Sequence, residues 1–286
     1  AAIRSDNPEF IAAKSSGIPM MDRAELLGQI MTNYANSVAV AGTHGKTTTT
    51  SMLAHIFLAA DCDPTISVGG ILKSIGGNIR VGYSENFITE ACEYTNSFLK
   101  FNPRVALILN IEEDHMDFFK DIADIRNSFR QFAQKPGDDG AVIINSSIDN
   151  IEEIVENAAG RIITYGFECG CDYRADNISF DEYARGSFDL IKGDEKCGHY
   201  VLGVSGEHNI SNALAAIAAA EFLGISDDAV RSGLLSFSGT DRRFELKGVR
   251  DGVTIIDDYA HHPTEIAATL TTAKNYPHKR LWCVFQ

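Results

Sequence analysis

The sequence has no apolar run near the ~18 residues that a membrane-crossing helix requires. Its N-terminus also lacks the basic, apolar and small-residue succession of a secretory signal. Together these absences point to a cytoplasmic chain. Positive charge is short as well: 25 Lys and Arg stand against 39 Asp and Glu, leaving a formal charge of −14. A general nucleic-acid or anionic-membrane partner is excluded on that ground, because binding either one depends on clustered cations. Any anion must therefore be held locally. The six cysteines, at 62, 92, 169, 171, 197 and 283, form no CxxC pair, and Cys169-Gly-Cys171 alone is too short for a zinc site. They read as reduced thiols that mostly pack.

What the chain does have is 286 residues with 44% hydrophobic content, enough for one large or two ordinary domains. Short β-branched runs alternate with helix-patterned segments: Val38–Ala41 then Lys46–Ala60; Phe87–Ala91; Val105–Ile111 then Ile122–Phe132; Ala141–Asn145 then Ile151–Ala159; Arg161–Tyr165. Such alternation predicts an α/β fold, a mostly parallel central sheet flanked by helices. From Tyr173 to Val204 the runs become short and alternating, which predicts a small antiparallel edge. Asn209 to Leu223 reads as one buried, Ala-rich helix ending near Gly224. Phe118, Phe119, Phe129 and Phe132 lie at helical or helix-entry spacing and are assigned to the core.

At the two ends the pattern is incomplete. "SDNPEFIAAKSSGIP" predicts a helix entered through Asn7-Pro8, with no earlier strand to pack on. "RFELKGVRDGVTIIDDYA" predicts a hairpin around Asp251-Gly252, followed by a helix from near Pro263 and a strand over 280–286. One crossover unit cannot bury both faces of its sheet. The expectation is a fragment in three pieces: a remnant at 1–35, a complete centre at 36–243 and the truncated start of a further domain at 244–286.

The stretch "SVAVAGTHGKTTTTSMLAHIF" carries the chemistry. A strand feeding Gly42-Thr43-His44-Gly45-Lys46-Thr47-Thr48 and then a helix aims free backbone N–H groups and a positive helix end at one point, which suits phosphate oxygens. Lys46 adds a point charge, and Thr47 can offer its hydroxyl to Mg²⁺. Val40 stands where the general G-x-x-x-x-G-K-[ST] pattern has its first glycine, so this loop is a shorter form. A Gly-rich turn with a solvated lysine is the alternative; the order strand, Gly-Lys-Thr, helix favours phosphate.

A magnesium nucleotide also needs hard oxygen ligands. Glu90 falls at the carboxyl end of one apolar strand, and Asp114, His115 and Asp117 follow another. Ligands of open parallel sheets gather at such strand ends, so Glu90, His115 and the loop converge if these strands are neighbours. Taken alone, His115 is a solvent-satisfied helix-entry histidine. Its context makes it a site candidate, with Asp114 orienting it.

In order along the chain, "GTHGKTTTT", "NIEEDHMD", "GEHNISNALAA", "GTDRRFE" and "DDYAHHPTEI" resemble the Mur ligase family, the ATP-dependent amide-forming enzymes of peptidoglycan assembly. The resemblance covers essentially the whole chain. It implies three domains in the full protein: one for a UDP-sugar, a central ATPase, and a dinucleotide-fold-like domain that brings the amino acid. Within the family the motifs look most like the branch that joins L-alanine to UDP-N-acetylmuramate. The resemblance further implies ATP and Mg²⁺ as cofactors. Lys46 and the loop amides would hold the β- and γ-phosphates, Thr47 with Glu90 one magnesium, and His115 a second. Asn209 and Asn212, with His208 beside them, resemble adenine contacts. Arg242 and Arg243 lie where the family has a linker arginine near the phosphates. Asp258, Tyr259, His261 and His262 would face the nucleotide or the reacting centre.

There are departures. "EACEYTNSF" stands where many alanine-adding relatives read E-A-D-E-S-D-A-S-F, so Cys92, Tyr94 and Thr95 replace acidic or hydroxyl residues while Glu90 and Glu93 remain. The helix "IADIRNSFRQF" has no lysine, so no carbamylated lysine is expected. Forming an amide from a carboxylate requires its activation by phosphoryl transfer, which cations around the γ-phosphate promote. Lys46→Ala is accordingly expected to abolish that step and to leave the fold intact. His261 or His262 is a candidate proton acceptor from the amine, although a His-His pair is as readily structural. Two rival readings remain: a recycling ligase that attaches a whole peptide to the same UDP-sugar, and a P-loop nucleotide-binding module or kinase without ligase activity. A dinucleotide oxidoreductase is disfavoured because the loop carries Lys-Thr instead of G-x-G-x-x-G. The fragment alone is expected to be inactive, since domain closure completes such sites.

Overall fold

The computed structural model describes residues 3–285. Two short helices, α1 (Pro8–Ser15) and α2 (Arg23–Met31), lead into β1 (Asn36–Ala41) and α3 (Lys46–Ala59). Next come β2 (Thr65–Leu72), β3 (Gly77–Arg80), β4 (Asn86–Glu90), β5 (Val105–Ile108), α4 (Ile122–Ala133), β6 (Ala141–Asn145), α5 (Ile151–Ile154) and β7 (Arg161–Gly166). The chain continues through β8 (Tyr173–Phe180), β9 (Arg185–Lys192), β10 (Glu195–Ser205), α6 (His208–Phe222) and α7 (Asp227–Ser236). It closes with β11 (Glu245–Arg250), β12 (Val253–Asp257) and α8 (Pro263–Asn275).

Ten strands form one sheet in the order β10-β9-β8-β7-β6-β5-β1-β4-β2-β3. From β7 to β2 every neighbour pair is parallel, while β8-β9, β9-β10 and β2-β3 are antiparallel. The α/β architecture and the antiparallel edge are thus as expected. Successive side chains of a strand point to opposite faces, and β1 shows the result. Val38 and Val40 pack with α3, α6 and α7 residues such as Leu53, Leu214 and Leu234, whereas Ala39 and Ala41 pack with Phe98, Phe129 and Phe132. Both faces are covered, which is why the parallel strands read as continuous apolar runs instead of alternating ones.

Local signals set several boundaries. The Asn7 side chain accepts from the N–H groups of Glu9 and Phe10 ahead of Pro8, which caps α1 as the Asn-Pro pair predicts. α6 ends where Gly224 takes φ of 79°, with Ile225 N–H bonded back to Ala220 O. Asp251 and Gly252 have φ of 52° and 80°, the left-handed pair that a tight β11–β12 hairpin needs.

Other expectations are corrected. α5 is one turn and not a helix to 159, and β5 stops at Ile108, before Leu109–Ile111 turn into the site. Residues 280–285 form no strand; Gln286, at the end of that expected strand, lies outside the described residues. Phe119, Phe129 and Phe132 are buried, but Phe118 is 42% exposed, resting edge-on against Tyr94 and Phe119. The structure adds the β2–β3 pair and helices α2 and α7 to the elements expected from the sequence.

Candidate active site

Between β1 and α3 the loop 42–45 turns at Gly45, whose φ of 83° suits glycine. A Cβ there would stand 2.6 Å from Asn212 Oδ1, so the residue also lets α6 approach the loop. No side chain caps α3, and its first N–H groups remain directed at the loop's concave side. Asn110, just past β5, splints the loop: its Oδ1 accepts from His44 N–H at 2.7 Å and its Nδ2 donates to His44 O at 3.1 Å. Asn110 was not a sequence candidate, and only its place after a strand hinted at it.

As required, β4 and β5 are the two neighbours of β1. The side chains at these strand tips do not all meet, however. The Lys46 ammonium donates to the carbonyls of Gly42 and Thr43 and lies 3.0 Å from the carboxylate of Glu93. His115 Nε2 stands 3.8 Å from the same carboxylate and 3.7 Å from Asp114. Glu93, with a side chain only 3% exposed, is therefore the hub joining loop and histidine. Glu90 turns the other way: its Oε1 accepts from Gly69 N–H on β2 at 2.5 Å. A Cβ on Gly69 would sit 2.7 Å from that carboxylate, and one on Gly70 3.1 Å from the Thr47 methyl, so the Gly-Gly pair brings β2 against both residues.

His115 takes φ of 54°, and Asp114 Oδ1 accepts its backbone N–H at 2.7 Å, a contact to the main chain and not to the ring. The ring stacks on Tyr94 at 4.5 Å. Tyr94 in turn donates to Asp117 at 2.7 Å, and that carboxylate pushes its phenol pKa up. Glu93, Asp114 and His115 place ligand atoms within 4.8 Å of one another, a set rich in carboxylate oxygen and suited to a hard cation.

Beside the loop lies a cavity of about 620 Å³ lined by His44, Thr47, Thr48, His208, Asn209 and Asn212, among others. Lys46, Glu90 and His115 do not line it. Asn209 donates to Ser205 O and accepts from Asn212 at 3.0 Å, which fixes both amides at the start of α6. His208 lines the cavity and is solvent-exposed there, although protein atoms crowd the ring. That crowding lowers its pKa by desolvation, against the opposing pull of Asp258.

The segment after β12 closes over the loop. Arg243 lines the cavity and pairs with Glu265 at 3.2 Å, whereas Arg242 is exposed and outside the lining. Asp258 spends its carboxylate on the backbone N–H groups of Phe244 and Ala260. Tyr259 is 57% exposed. His261 is also exposed, bonding only locally to Tyr259 O, so it does not reach the loop. His262 does: its Nδ1 is 3.0 Å from His44 Nε2. Its position before Pro263 decides this, since it caps α8 and so points along the helix start. Burial pushes the Glu265 carboxyl up, but the His44 hydrogen bond and the Arg243 charge outweigh it and hold the group well below the usual carboxylate range.

Family models match the chain as follows: Mur ligase middle domain over 40–220; Mur ligase, glutamate ligase domain over 242–286; and Mur ligase family, catalytic domain over 1–35. A UDP-N-acetylmuramate–L-alanine ligase of Agathobacter rectalis is 60% identical over 286 residues, covering 100% of this chain and 62% of that protein. One from Lachnospira eligens is 57% identical with the same coverage. The crystal structure of a UDP-N-acetylmuramate–alanine ligase from Thermotoga maritima superposes with a TM-score of 0.83 at 30% identity, covering 96% of this chain and 62% of that one. A murein peptide ligase from Psychrobacter arcticus gives a TM-score of 0.77 at 28% identity, with the same coverage. The chain thus spans about 62% of the length of these relatives. Since the middle-domain match alone takes in the Gly-Lys-Thr loop, both flanking strand tips and the start of α6, this chain belongs to the Mur ligase family.

Proposed function

We propose that the chain is the nucleotide-handling part of an ATP-dependent ligase that joins L-alanine to UDP-N-acetylmuramate in the cytoplasm. One observation carries the reading: the first lysine of an uncapped helix and a histidine from beyond the neighbouring strand both approach Glu93, and the loop ahead of that helix borders a nucleotide-sized cavity. The choice of L-alanine over a peptide rests on the 60% and 57% identities to L-alanine ligases over the whole chain.

In the first step a carboxylate oxygen of the sugar acid attacks the γ-phosphorus and ADP leaves, giving an acyl phosphate. In the second the amine attacks the acyl carbon and phosphate leaves. The first barrier is largely repulsion between anions, so cations fixed around the transferring group lower it. Lys46 supplies one, exchanging Glu93 for phosphate oxygens, and the α3 N–H groups supply a positive end. Arg243 supplies another from the cavity wall. Asn209 and Asn212, already held by each other, offer amides to a base.

Magnesium suits these oxygen donors: His115 with Glu93 and Asp114 would hold one ion, and Thr47 with Glu90 another once the Glu90 carboxylate leaves the Gly69 N–H. Bound there, it would neutralise phosphate charge. For the proton of the amine, His262 is better placed than His261, because it alone touches the loop.

We further read 1–35 as the end of a UDP-binding domain, 36–243 as the ATP-binding domain and 244–286 as the start of the amino-acid domain. The chain alone is expected to be inactive. The test is ADP release by this sequence at the full length of its relatives. Release should require both UDP-N-acetylmuramate and L-alanine. Dependence on a tripeptide would favour the recycling reaction, and release without either substrate would defeat the ligase reading.

A further inference from the structure

A second group of ligating side chains lies where the phosphate loop meets the segment before α8. The nearest ligand atoms of His44, His262 and Glu112 form a triangle: His44 Nε2 to His262 Nδ1 is 3.0 Å, His44 Nε2 to Glu112 Oε2 3.6 Å, and His262 Nδ1 to Glu112 Oε2 3.7 Å. Nitrogen and oxygen ligands about 2.0–2.2 Å from a tetrahedral zinc stand roughly 3.3–3.5 Å apart, so the triangle is close to one face of such a tetrahedron.

The surroundings are those of a built site. A ligating imidazole ordinarily donates its other ring N–H to a carboxylate or a backbone carbonyl, which sets the tautomer. Both do so here: His44 Nδ1 is 3.3 Å from Glu265 Oε1, and His262 Nε2 is 3.3 Å from Glu113 O. Glu265 is anchored in turn by Arg243 at 3.2 Å, and Glu112 accepts from the Thr264 hydroxyl at 2.7 Å. The backbone holds the ligands in register, since Asn110 accepts His44 N–H and the Thr43 hydroxyl accepts Glu112 N–H at 2.9 Å. Side-chain exposures of 13%, 33% and 21% for His44, Glu112 and His262 leave room for water as a fourth ligand.

The geometry points to a tetrahedral transition-metal site, filled by zinc or a zinc-like divalent ion, formed by His44, Glu112 and His262. It clamps the start of α8 onto the phosphate loop, and it takes up the His262 Nδ1 lone pair that otherwise accepts the Thr264 N–H at 3.4 Å, so the metal-bound form cannot use His262 as proton acceptor. Magnesium is a poor occupant, because it demands six mostly oxygen ligands, whereas two imidazoles and one carboxylate suit Zn²⁺ or Co²⁺. The site is separate from the carboxylate-rich Glu93, Asp114 and His115 group, and it does not depend on the ligase reading.

The experiment is titration of the metal-stripped protein with Co²⁺ alone, followed by visible spectroscopy and by displacement with Zn²⁺. Expected are intense tetrahedral d–d bands at one equivalent, with no thiolate charge-transfer band, removed by Zn²⁺ and indifferent to Mg²⁺. X-ray absorption of the zinc form should count two imidazoles. His262→Gln and Glu112→Gln should each lose the bands, Glu265→Gln should weaken binding about 10–100-fold, and His115→Gln should keep them. The zinc form should melt higher than the stripped protein, and that difference should vanish in His262→Gln. Tetrahedral bands that persist unchanged in both His262→Gln and Glu112→Gln would overturn the assignment. So would a thiolate-dominated spectrum, or no zinc count of two imidazoles in the unmutated protein, an outcome that needs no variant to fold.

Discussion

β1 and β12 are both short β-branched strands, yet every residue of β1 from Ser37 onward is buried, while Val253 and Ile255 of β12 are 60% and 49% exposed. β1 has parallel partners on both edges and helices on both faces, whereas β12 has β11 alone among the described residues. A two-stranded ribbon has no second layer to bury its apolar face. Composition therefore makes a strand, but the layers around it make a core.

The contrast can be broken most sharply from the core side. Phe132, fully buried and stacked on Phe98 at 4.8 Å, should cost about 3–5 kcal/mol as Phe132→Ala in urea unfolding. A cost near zero would mean that the second face is not packed as described.

Lys46→Ala tests the tip of β1 rather than its packing. In the protein at the full length of its relatives, ADP formation should fall by about 10²–10³-fold or more. The sequence suggested that this change spares the fold, but Lys46 is 16% exposed and paired with a carboxylate that is 3% exposed. Leaving Glu93 unpaired should cost about 1–3 kcal/mol of stability as well. Adding Glu93→Gln should restore the stability and not the rate, which separates the two effects.

Glu265→Gln probes the seam between the two regions. Because the folded-state pKa of Glu265 is depressed, its stabilisation is present above the ordinary glutamate pKa of about 4.3 and is lost as pH falls through the folded value. The variant should be about 1–2 kcal/mol less stable at neutral pH. Its urea midpoint should approach that of the unmutated chain on acidification below about pH 4. A gap that widens on acidification would reverse the sign. Ile255→Ala, on the exposed ribbon, should change stability by no more than about 0.5 kcal/mol.

Particular residues show how far the sequence could be read. The alternation of apolar runs with helix patterns, the Gly-Lys-Thr loop, the Asn-Pro helix entry and the Asp-Gly turn are all written in neighbours a few residues apart. The loop, the helix entry and the turn appear where they were expected, and the alternation does apart from the shortened α5 and β5 and the missing last strand. Glu93 was noticed only as a remaining acid. Its importance comes from Lys46, 47 residues away, and no local pattern encodes that distance. The choice between His261 and His262 was equally closed to the sequence, because it depends on which of two adjacent residues caps α8 and so meets His44, 218 residues earlier. Glu90 was correctly put at a strand tip, but its direction is set by β2, which the sequence did not reveal.

The sequence by itself determined the glycine-lysine loop at the tip of β1 and the parallel α/β class, because backbone freedom at glycine, the spacing of apolar side chains and the charge of one lysine are properties of short stretches. Tertiary structure alone decided which carboxylate sits between lysine and histidine, and which histidine closes the loop. Those contacts depend on strand order and on the close approach that Gly45 and Gly69 permit, and both are settled only when distant segments compete for the same few ångströms.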